Sequence, residues 1–343
     1  MATNSVVSFN KQTDLATGLD AVITVNKALG DRLRAHVVRT LAQDAFSVSE
    51  LCTIFAVTQP AISHHLRILR DAHLVESRKE GTSIFYQRPV HPTASWVQAI
   101  FSALDVHPMA SEYAAGVATV YSQRQRQSVE FFINHSDILQ RQQDLVCPSP
   151  VYSEPVMACA MQAAGAQARA LEVGPGDGFL LNALSPHYGY IDGIDSNRAM
   201  LDQARMGLAQ DANVALLHKD FFELQAPARY HLIVAAMVLH HLPSPRAFFE
   251  QAAGLLEPNG RIVVAELCEH DQEWTRTQCG DLWLGIAPET LNSWARQFDL
   301  QPDQHHFLAR RNGFRIQVAS FRRADSSESF TSEFATTKTK EPL

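Results

Sequence analysis

The amino-acid sequence predicts an α/β protein of two domains: a helical N-terminal domain that ends in a β-hairpin, and a larger domain with a mostly parallel sheet. The length of 343 residues is about twice that of a typical single domain. Short helical patterns fill residues 19–106, whereas apolar strand-like runs alternate with helical stretches over 168–323. Residues 107–167 have helical spacing, and we expect a helical linker there.

The composition indicates a folded, soluble protein that we expect in the cytoplasm. Hydrophobic residues make up 46% of the chain and charged residues 19%, which excludes a wholly disordered chain. No stretch is apolar enough for a membrane helix, and the first residues lack the pattern of a signal peptide. We expect a flexible N-terminus over 1–18 and a disordered tail over 324–343. The five cysteines form no CxxC or CxC pair, so no disulfide or zinc framework is predicted.

Residues 47–72 have the pattern of two short helices joined by a tight turn. Ser47 or Ser49 can cap the first helix, and Thr58 suits the N-cap of the second. The apolar residues of the second helix recur at i, i+4 and i+7, so its opposite face is polar and basic. Such side chains can donate to base edges or phosphates in the major groove of DNA. The predicted DNA-binding residues on this face are Gln59, Ser63, His64 and Arg67.

The next segment, residues 74–86, predicts a β-hairpin. Two runs of alternating polarity flank a charged turn with Gly81 at its tip. A hairpin directly after a recognition helix is typical of a wing, whose basic side chains lie near the phosphate backbone. Arg78 and Lys79 therefore join the predicted DNA-binding residues.

The whole stretch from 29 to 88 resembles the ArsR-type winged helix-turn-helix transcriptional regulators. Three segments carry the resemblance: 49–51 (Ser-Glu-Leu), 59–66 (Gln-Pro-Ala-Ile-Ser-His-His-Leu) and 74–78 (Leu-Val-Glu-Ser-Arg). The resemblance implies binding to double-stranded operator DNA. It also implies a homodimer, with helices over 20–42 and 93–106 at the dimer contact.

The sequence departs from this family at the positions where its metal sensors carry ligands. Arsenite sensors have thiolates two positions apart on the helix before the turn, whereas Cys52 is followed by Ile54. Asp105 and His107 could correspond to zinc or nickel ligands of other members, but the distal partners are missing. No metal is predicted, so any signal must enter elsewhere.

The C-terminal domain begins with a strand, a glycine-rich turn and a helix over 170–181. The order is Glu-x-Gly-x-Gly-x-Gly, which differs from the GxGxxG turn that binds dinucleotide phosphates. This spacing lets the backbone approach a bulky ligand that carries no phosphate there. Glu172 can meet an ammonium or a hydroxyl group.

The following strands complete a doubly wound pattern. The second strand ends in Asp195, the position that binds ribose hydroxyls in such folds, and the third is followed by Asp220. The run 232–237 is nearly all apolar, as expected of a central parallel strand, and 261–266 predicts a fifth strand. The Asn-Gly pair at 312–313 predicts a hairpin between the last two strands.

Together, residues 168–323 resemble the class I S-adenosylmethionine-dependent methyltransferases. The resemblance implies a Rossmann-like fold with a seven-stranded, mostly parallel sheet, and S-adenosylmethionine or S-adenosylhomocysteine as the bound ligand. It implies that the glycines line the methionine part, that the first acid lies near the amino group, and that the later acids bind the ribose and the adenine. The implied cofactor-binding residues are Glu172, Gly174, Gly176, Gly178, Asp195, Asp220 and Phe221. Residues 238–243 resemble the segment after strand four in methylases of the ubiquinone-biosynthesis type.

The sequence assigns no catalytic residue. Candidates for acid–base work are His240, His241 and His270, although methyl transfer to a nucleophilic acceptor needs mainly positioning. Residues 269–285 resemble a stretch of bacterial fusions between ArsR-type and methyltransferase domains. They could form an acceptor pocket or a lid, or simply pack. Two functions stay open: a DNA-binding regulator that senses the cofactor, or an active methyltransferase of a small molecule with an autoregulatory DNA-binding domain.

The net charge of −7 is unevenly distributed along the chain. Taken alone, it argues against a polyanionic partner such as DNA. Residues 29–88, however, carry eight Lys or Arg against six Asp or Glu, whereas 171–320 carry eleven against eighteen. The acidic excess belongs to the predicted cofactor domain. The sequence therefore predicts a salt-sensitive DNA contact made by a few cations.

Overall fold

A computed structural model describes residues 18–209, 213–225 and 229–323, with residues 136–141 described by their backbone alone. The predicted disordered tail, and all but the last residue of the predicted flexible N-terminus, lie outside the described residues. The chain divides into two compact units, one up to Val120 and one from Tyr121. Among the described residues, no helix is long and apolar enough to cross a membrane.

The first unit is a helical domain with a small antiparallel sheet of order β1-β3-β2. Its elements are α1 (Leu19–Leu29), α2 (Arg32–Thr40), β1 (Phe46–Ser47), α3 (Val48–Phe55), α4 (Gln59–Asp71), β2 (Glu76–Glu80), β3 (Ser83–Gln87), α5 (Ser95–Val106) and the first part of α6 (Ser111–Val146). The predicted helical run over 20–42 is two helices, because the chain breaks at Gly30 and Asp31. The Asp31 side chain caps α2 by accepting from the Arg34 N–H.

The helix-turn-helix forms as predicted, with one difference in its capping. Ser47 caps α3 in a reciprocal capping box with Glu50. Thr58 occupies the N-cap position of α4, as predicted, although its side chain makes no capping hydrogen bond. Buried side chains hold α4 against the domain core; they are Ile62, Leu66 and Leu69. Strands β2 and β3 form the predicted hairpin.

The second unit is a doubly wound α/β domain with a seven-stranded sheet, which confirms the predicted fold class. After α6 it contains α7 (Ser149–Ala160), β4 (Gly165–Val173), α8 (Phe179–Leu184), β5 (Tyr188–Asp195), α9 (Arg198–Gly207), β6 (Val214–His218), β7 (Tyr230–Ala236), α10 (Pro245–Leu255), β8 (Leu256–Leu267), α11 (Trp274–Gln278), α12 (Pro288–Arg296), β9 (Leu300–Ala309) and β10 (Arg315–Arg323). The order is β6-β5-β4-β7-β8-β10-β9. The first five strands in this order are parallel to one another, and β10 runs antiparallel to both of its neighbours, β8 and β9.

The strand order reverses between β4 and β7. From β4 the chain first adds β5 and β6 on one side, and then β7 and β8 on the other. Because the connections after β4 and after β7 lead in opposite directions along the sheet, their helices leave a crevice at the carboxyl ends of these two strands. Residues 232–235 of β7 are fully buried between the two hydrophobic clusters, which explains why this strand is nearly all apolar.

The segment predicted as a linker contributes to the second unit. The division between the units falls within α6, and the helix ends at Val146, shortly before the prolines at positions 148 and 150. Tyr152, Val156 and Cys159 of α7 are buried in the same hydrophobic cluster as the central strands. From Tyr121 onward, this segment therefore belongs to the compact unit of the parallel sheet.

Candidate functional site

A cavity of about 450 Å³ lies in the second unit at the switch point of the sheet. It is lined by residues that follow β4, β5, β6 and β7, and by parts of α6 and α7. Six of the predicted cofactor-binding residues line it: Glu172, Gly174, Gly176, Asp195, Asp220 and Phe221. The structure thus brings together residues spread over 50 positions of the sequence.

The three glycines of the turn after β4 have different surroundings. All three have positive φ angles, which residues other than glycine rarely adopt. A Cβ at Gly174 would lie 2.6 Å from Val238 Cγ2, whereas a Cβ at Gly176 would meet no protein atom within 4 Å. Gly178 is not among the cavity-lining residues; its Cβ would lie 2.7 Å from the carbonyl oxygen of Ala204 in α9. Gly178 therefore serves the close packing of α8 on α9.

Glu172 is a buried carboxyl group at the carboxyl end of β4. Only 3% of the residue is exposed, and its Oε2 atom has no hydrogen-bond partner. Burial, and secondarily the nearby Asp177, raise the pKa of Glu172 well above its ordinary value. A buried oxygen without a donor destabilises the fold, so this position suits a ligand that donates hydrogen bonds.

Asp195 ends β5 and is held by its own loop. Its Oδ1 atom accepts a hydrogen bond of 2.7 Å from the Asn197 N–H. Burial raises the pKa of Asp195 to about 6; the Asn197 hydrogen bond and His218 oppose this shift, and Asp220 adds to it. A carboxylate at this place can accept hydrogen bonds from two adjacent hydroxyl groups.

The residues after β6 are partly committed to the protein itself. Asp220 Oδ1 accepts a hydrogen bond of 2.9 Å from the Phe222 N–H and so caps a short 3-10 turn. Phe221 is only 5% exposed, and its ring lies 5.4 Å from that of Phe248. Each residue nevertheless contributes to the wall of the cavity.

A second group of polar residues lines the cavity beyond the predicted cofactor-binding set: His240, His241 and Asp281, all buried. His240 Nδ1 lies 2.6 Å from Glu266 Oε1, and His240 Nε2 lies 3.8 Å from Asp281 Oδ1. Burial lowers the pKa of His240, but the carboxylates of Glu266 and Asp281 outweigh it and raise the pKa to about 9. Burial and the adjacent His240 lower the pKa of His241 well below its usual range.

The third histidine candidate lies elsewhere. His270 is not among the residues that line the cavity. Its ring packs edge-on against Phe314 at 4.9 Å, and its Nδ1 accepts a hydrogen bond from the Gln272 N–H. Through these contacts, His270 stabilises the loop after β8.

Sequence reasoning missed several residues of this site. Ser128 and Phe132 of α6 and Tyr152 of α7 line the cavity, although the sequence predicted a linker there. The Phe132 ring meets that of His241 at 5.0 Å. Glu266 orients His240, but the sequence predicts it only as the last residue of a strand. The helical spacing of 107–167 was visible, but nothing in it indicated which face meets a ligand.

The predicted DNA-binding residues lie on the surface of the first unit. Gln59, Ser63, His64 and Arg67 are all exposed on one face of α4. On the wing, Lys79 is exposed, whereas Arg78 forms an ion pair with Glu80, which is buried.

Asp105, a candidate metal ligand of the first unit, forms an ion pair with Arg88. Both oxygens of Asp105 accept hydrogen bonds of 2.9 Å from Arg88, and Arg39 lies 3.7 Å away. Asp105 is thereby committed to contacts within the domain.

Two family models match the chain. The model for the arsR family of bacterial regulatory proteins matches residues 31–77, and that for a methyltransferase domain matches residues 149–316. The HTH-type transcriptional regulator KmtR of Mycobacterium tuberculosis is 36% identical over 88 residues, covering 25% of this chain and 68% of that protein. The ubiquinone biosynthesis O-methyltransferase of Coxiella burnetii is 26% identical over 149 residues, covering 43% of this chain and 63% of that protein.

Among solved structures, the N-methyltransferase NodS from Bradyrhizobium japonicum, in complex with S-adenosyl-L-homocysteine, is 18% identical, with a TM-score of 0.44 over 60% of this chain and 99% of that one. The chain spans about two thirds of the length of the curated relatives named above. The two family matches lie on separate parts of the sequence, and they agree with the two units of the structure. The chain therefore belongs to the ArsR family of bacterial regulatory proteins and carries, C-terminal to its helix-turn-helix, a methyltransferase domain.

Proposed function

We propose that this protein is a DNA-binding transcriptional regulator whose methyltransferase-like domain binds S-adenosylmethionine or S-adenosylhomocysteine as the sensed ligand. The observation that carries the proposal is the presence, in one chain, of an exposed polar recognition face on α4 and a cavity with unsatisfied acidic groups at the switch point of the sheet. An effector can change DNA affinity only if it binds the competent and incompetent states with different affinities.

The DNA-binding part of the proposal rests on the division of α4 into two faces. Ile62, Leu66 and Leu69 are fully buried, so the orientation of the helix is fixed by the core. The exposed face then presents Arg67 and His64 to a groove, and the hairpin presents Lys79 to the backbone. Because cations make these contacts, we expect an affinity that falls as the salt concentration rises.

The ligand-binding part rests on the chemistry of the cavity. Glu172 has a buried oxygen that lacks a donor, and Asp195 is a carboxyl group whose ionised form is disfavoured by burial. A ligand with an ammonium group and two neighbouring hydroxyl groups satisfies both. The positive φ of Gly176, and the absence of protein atoms around its would-be Cβ, support close approach of such a ligand to the backbone.

A DNA-binding titration at fixed salt tests the proposal. Fluorescence anisotropy of the gene's own upstream DNA is measured without ligand, with S-adenosylmethionine and with S-adenosylhomocysteine. We expect at least one ligand to change the dissociation constant by about fivefold or more, which is the usual lower range of allosteric coupling. Asp195→Ala should bind DNA normally but lose the response. A DNA affinity that is the same without ligand and at saturating concentrations of each ligand would overturn the sensor proposal.

We further propose that the protein acts as a homodimer. Leu19 and Ile23 on α1 and Val106 at the end of α5 are exposed apolar residues within the helices that the family resemblance implies as the dimer contact. Light scattering should give twice the chain mass, and Leu19→Asp with Ile23→Asp should reduce that mass and weaken DNA binding. A wild-type monomer bound to its operator would contradict this assignment.

The second candidate function is methyl transfer to a small molecule. It is favoured by one observation: the cavity extends from the acids of the predicted cofactor site to the buried His240, whose other ring nitrogen lies 2.6 Å from Glu266. Transfer from labelled S-adenosylmethionine to acceptors in a cell extract tests it. Steady turnover that Asp195→Ala abolishes would favour the enzyme, whereas binding without turnover would favour the sensor.

A further inference from the structure

We propose that His240, His241 and Asp281 bind one divalent transition-metal ion at the edge of the cavity. One ligand atom from each of the three residues can be chosen such that all lie within 4.8 Å of one another, and all three residues are buried. Asp281 Oδ1 lies 3.8 Å from His240 Nε2 and 3.9 Å from His241 Nδ1. In a tetrahedral zinc site, bonds of 2.0–2.1 Å place ligands about 3.3 Å apart, so side-chain shifts of up to about 1.5 Å complete the site.

Three polar atoms of this cluster are buried and make no hydrogen bond of 3.5 Å or less, although the Thr275 side chain lies near enough to Asp281 to stabilise its carboxylate. They are both carboxylate oxygens of Asp281 and the Nε2 atom of His241. The residues themselves are 2% and 7% exposed. Since an unsatisfied buried polar atom destabilises the folded state, three of them together point to a bound partner. His241 Nδ1 donates a hydrogen bond of 3.3 Å to the Gly280 carbonyl oxygen, so Nε2 is the nitrogen left to bind a metal ion together with the Asp281 carboxylate.

Glu266 supplies the second support, because it orients His240 toward the cluster. Its Oε1 atom lies 2.6 Å from His240 Nδ1, which leaves Nε2 on the side of Asp281. Glu266 is itself fully buried and held by the backbone N–H groups of His240 and Leu267. A carboxylate that holds one imidazole nitrogen while the other binds a metal is the recurring outer-shell arrangement of histidine metal sites.

The ligand set defines the class of metal. Two imidazoles and one carboxylate suit zinc, iron, cobalt or nickel rather than magnesium or calcium, which prefer oxygen ligands only. Glu266 and Asp281 together balance the two positive charges of such an ion. All three ligands belong to the cavity wall, so a fourth coordination position is available to a molecule in the cavity.

The proposal concerns metal binding alone and does not rest on the sensor function. Full-length protein is titrated with Co²⁺ and then Zn²⁺, and the visible absorption of bound Co²⁺ and the metal content after gel filtration are measured. We expect one ion per chain, with spectra of nitrogen and oxygen ligands and displacement by Zn²⁺. Asp281→Asn and His241→Gln should weaken binding more than a hundredfold, and Glu266→Gln by about 10–100-fold.

The matched control is a second pair of adjacent histidines in the same unit. His305 and His306 lie on β9 and are not among the cavity-lining residues, so His305→Gln with His306→Gln should leave binding unchanged. Circular dichroism reports whether each variant is folded. Should a cluster variant fail to fold, anomalous diffraction from wild-type crystals grown with Zn²⁺ decides the question. Absence of a peak among the three side chains, or binding that Asp281→Asn leaves intact, would overturn the proposal.

Discussion

The ionisation of Asp195 should make the affinity for S-adenosylhomocysteine depend on pH. The carboxylate accepts hydrogen bonds from ribose hydroxyls more strongly than the neutral acid, so ligand binding favours the ionised form. Burial raises the pKa of Asp195 to about 6 in the ligand-free protein. Asn197 and His218 stabilise the negative charge and Asp220 opposes it, so these neighbours set where the transition occurs.

The expected size follows from this pKa. With a value of about 6, about one tenth of Asp195 is ionised at pH 5 and about nine tenths at pH 7. If only the ionised form binds, the dissociation constant should fall about tenfold over this range, or about 1.4 kcal/mol. The free energy of unfolding of the ligand-free protein should decrease over the same rise in pH, whereas the ligand affinity increases. The folded state holds this proton more tightly than the unfolded chain, so stability decreases as the pH rises from about 4 to about 6.

Isothermal titration at pH 5, 6, 7 and 8 measures the effect, with Asp195→Asn as the matched variant. The variant keeps an oxygen acceptor but cannot ionise, so any pH dependence that remains comes from other groups, such as Glu172. Between pH 5 and pH 7, we expect the dissociation constant of the wild type to change by about tenfold more than that of the variant. Parallel curves for the two proteins would refute the assignment of Asp195 as the ribose-binding acid.

Three further outcomes test other parts of the structure. Arg67→Ala should weaken DNA binding and reduce its salt dependence, while the affinity for S-adenosylhomocysteine stays unchanged; equal losses of both would contradict the division of roles. Arg78→Ala removes the ion-pair partner of buried Glu80, so chemical denaturation should show a loss of up to about 3 kcal/mol in unfolding free energy as well as weaker DNA binding. Tyr230→Phe removes the 2.7 Å hydrogen bond to Asp192 and should lower the free energy of unfolding by about 1.5–3 kcal/mol; an unchanged denaturation midpoint would rule out this contribution.

Local patterns predicted most of the fold. Ile62, Leu66 and Leu69 recur at helical spacing and are all fully buried, because a helix with one apolar stripe has one orientation that removes it from water. The apolar run of β7 predicted a central parallel strand for the same reason. Thr58 shows the limit of such rules: a good capping residue at the N-cap position makes no capping bond.

The composition of the site was less accessible to sequence reasoning. The acids Glu172 and Asp195 were predicted from their position after apolar strands, which is a local signal. The pairing of His240 with Glu266 joins residues 26 positions apart, and it exists because β7 and β8 are parallel neighbours that end at the same edge of the sheet. Phe132 was assigned to a linker because a helical pattern specifies an apolar stripe but not its partner.

The acids at the ends of the parallel strands serve two different purposes, and their hydrogen bonds show which. Glu266 accepts hydrogen bonds from His240 and from two backbone N–H groups, so its oxygens are already satisfied. Glu172 keeps an oxygen without a donor, although it is equally buried. Because an unsatisfied carboxyl group gains most from a donor brought by a ligand, substitutions of Glu172 should act on ligand affinity directly. Substitutions of Glu266 should act through the position of His240. Of these two buried acids, Glu172 is therefore the one that the fold leaves with an oxygen for a ligand to satisfy.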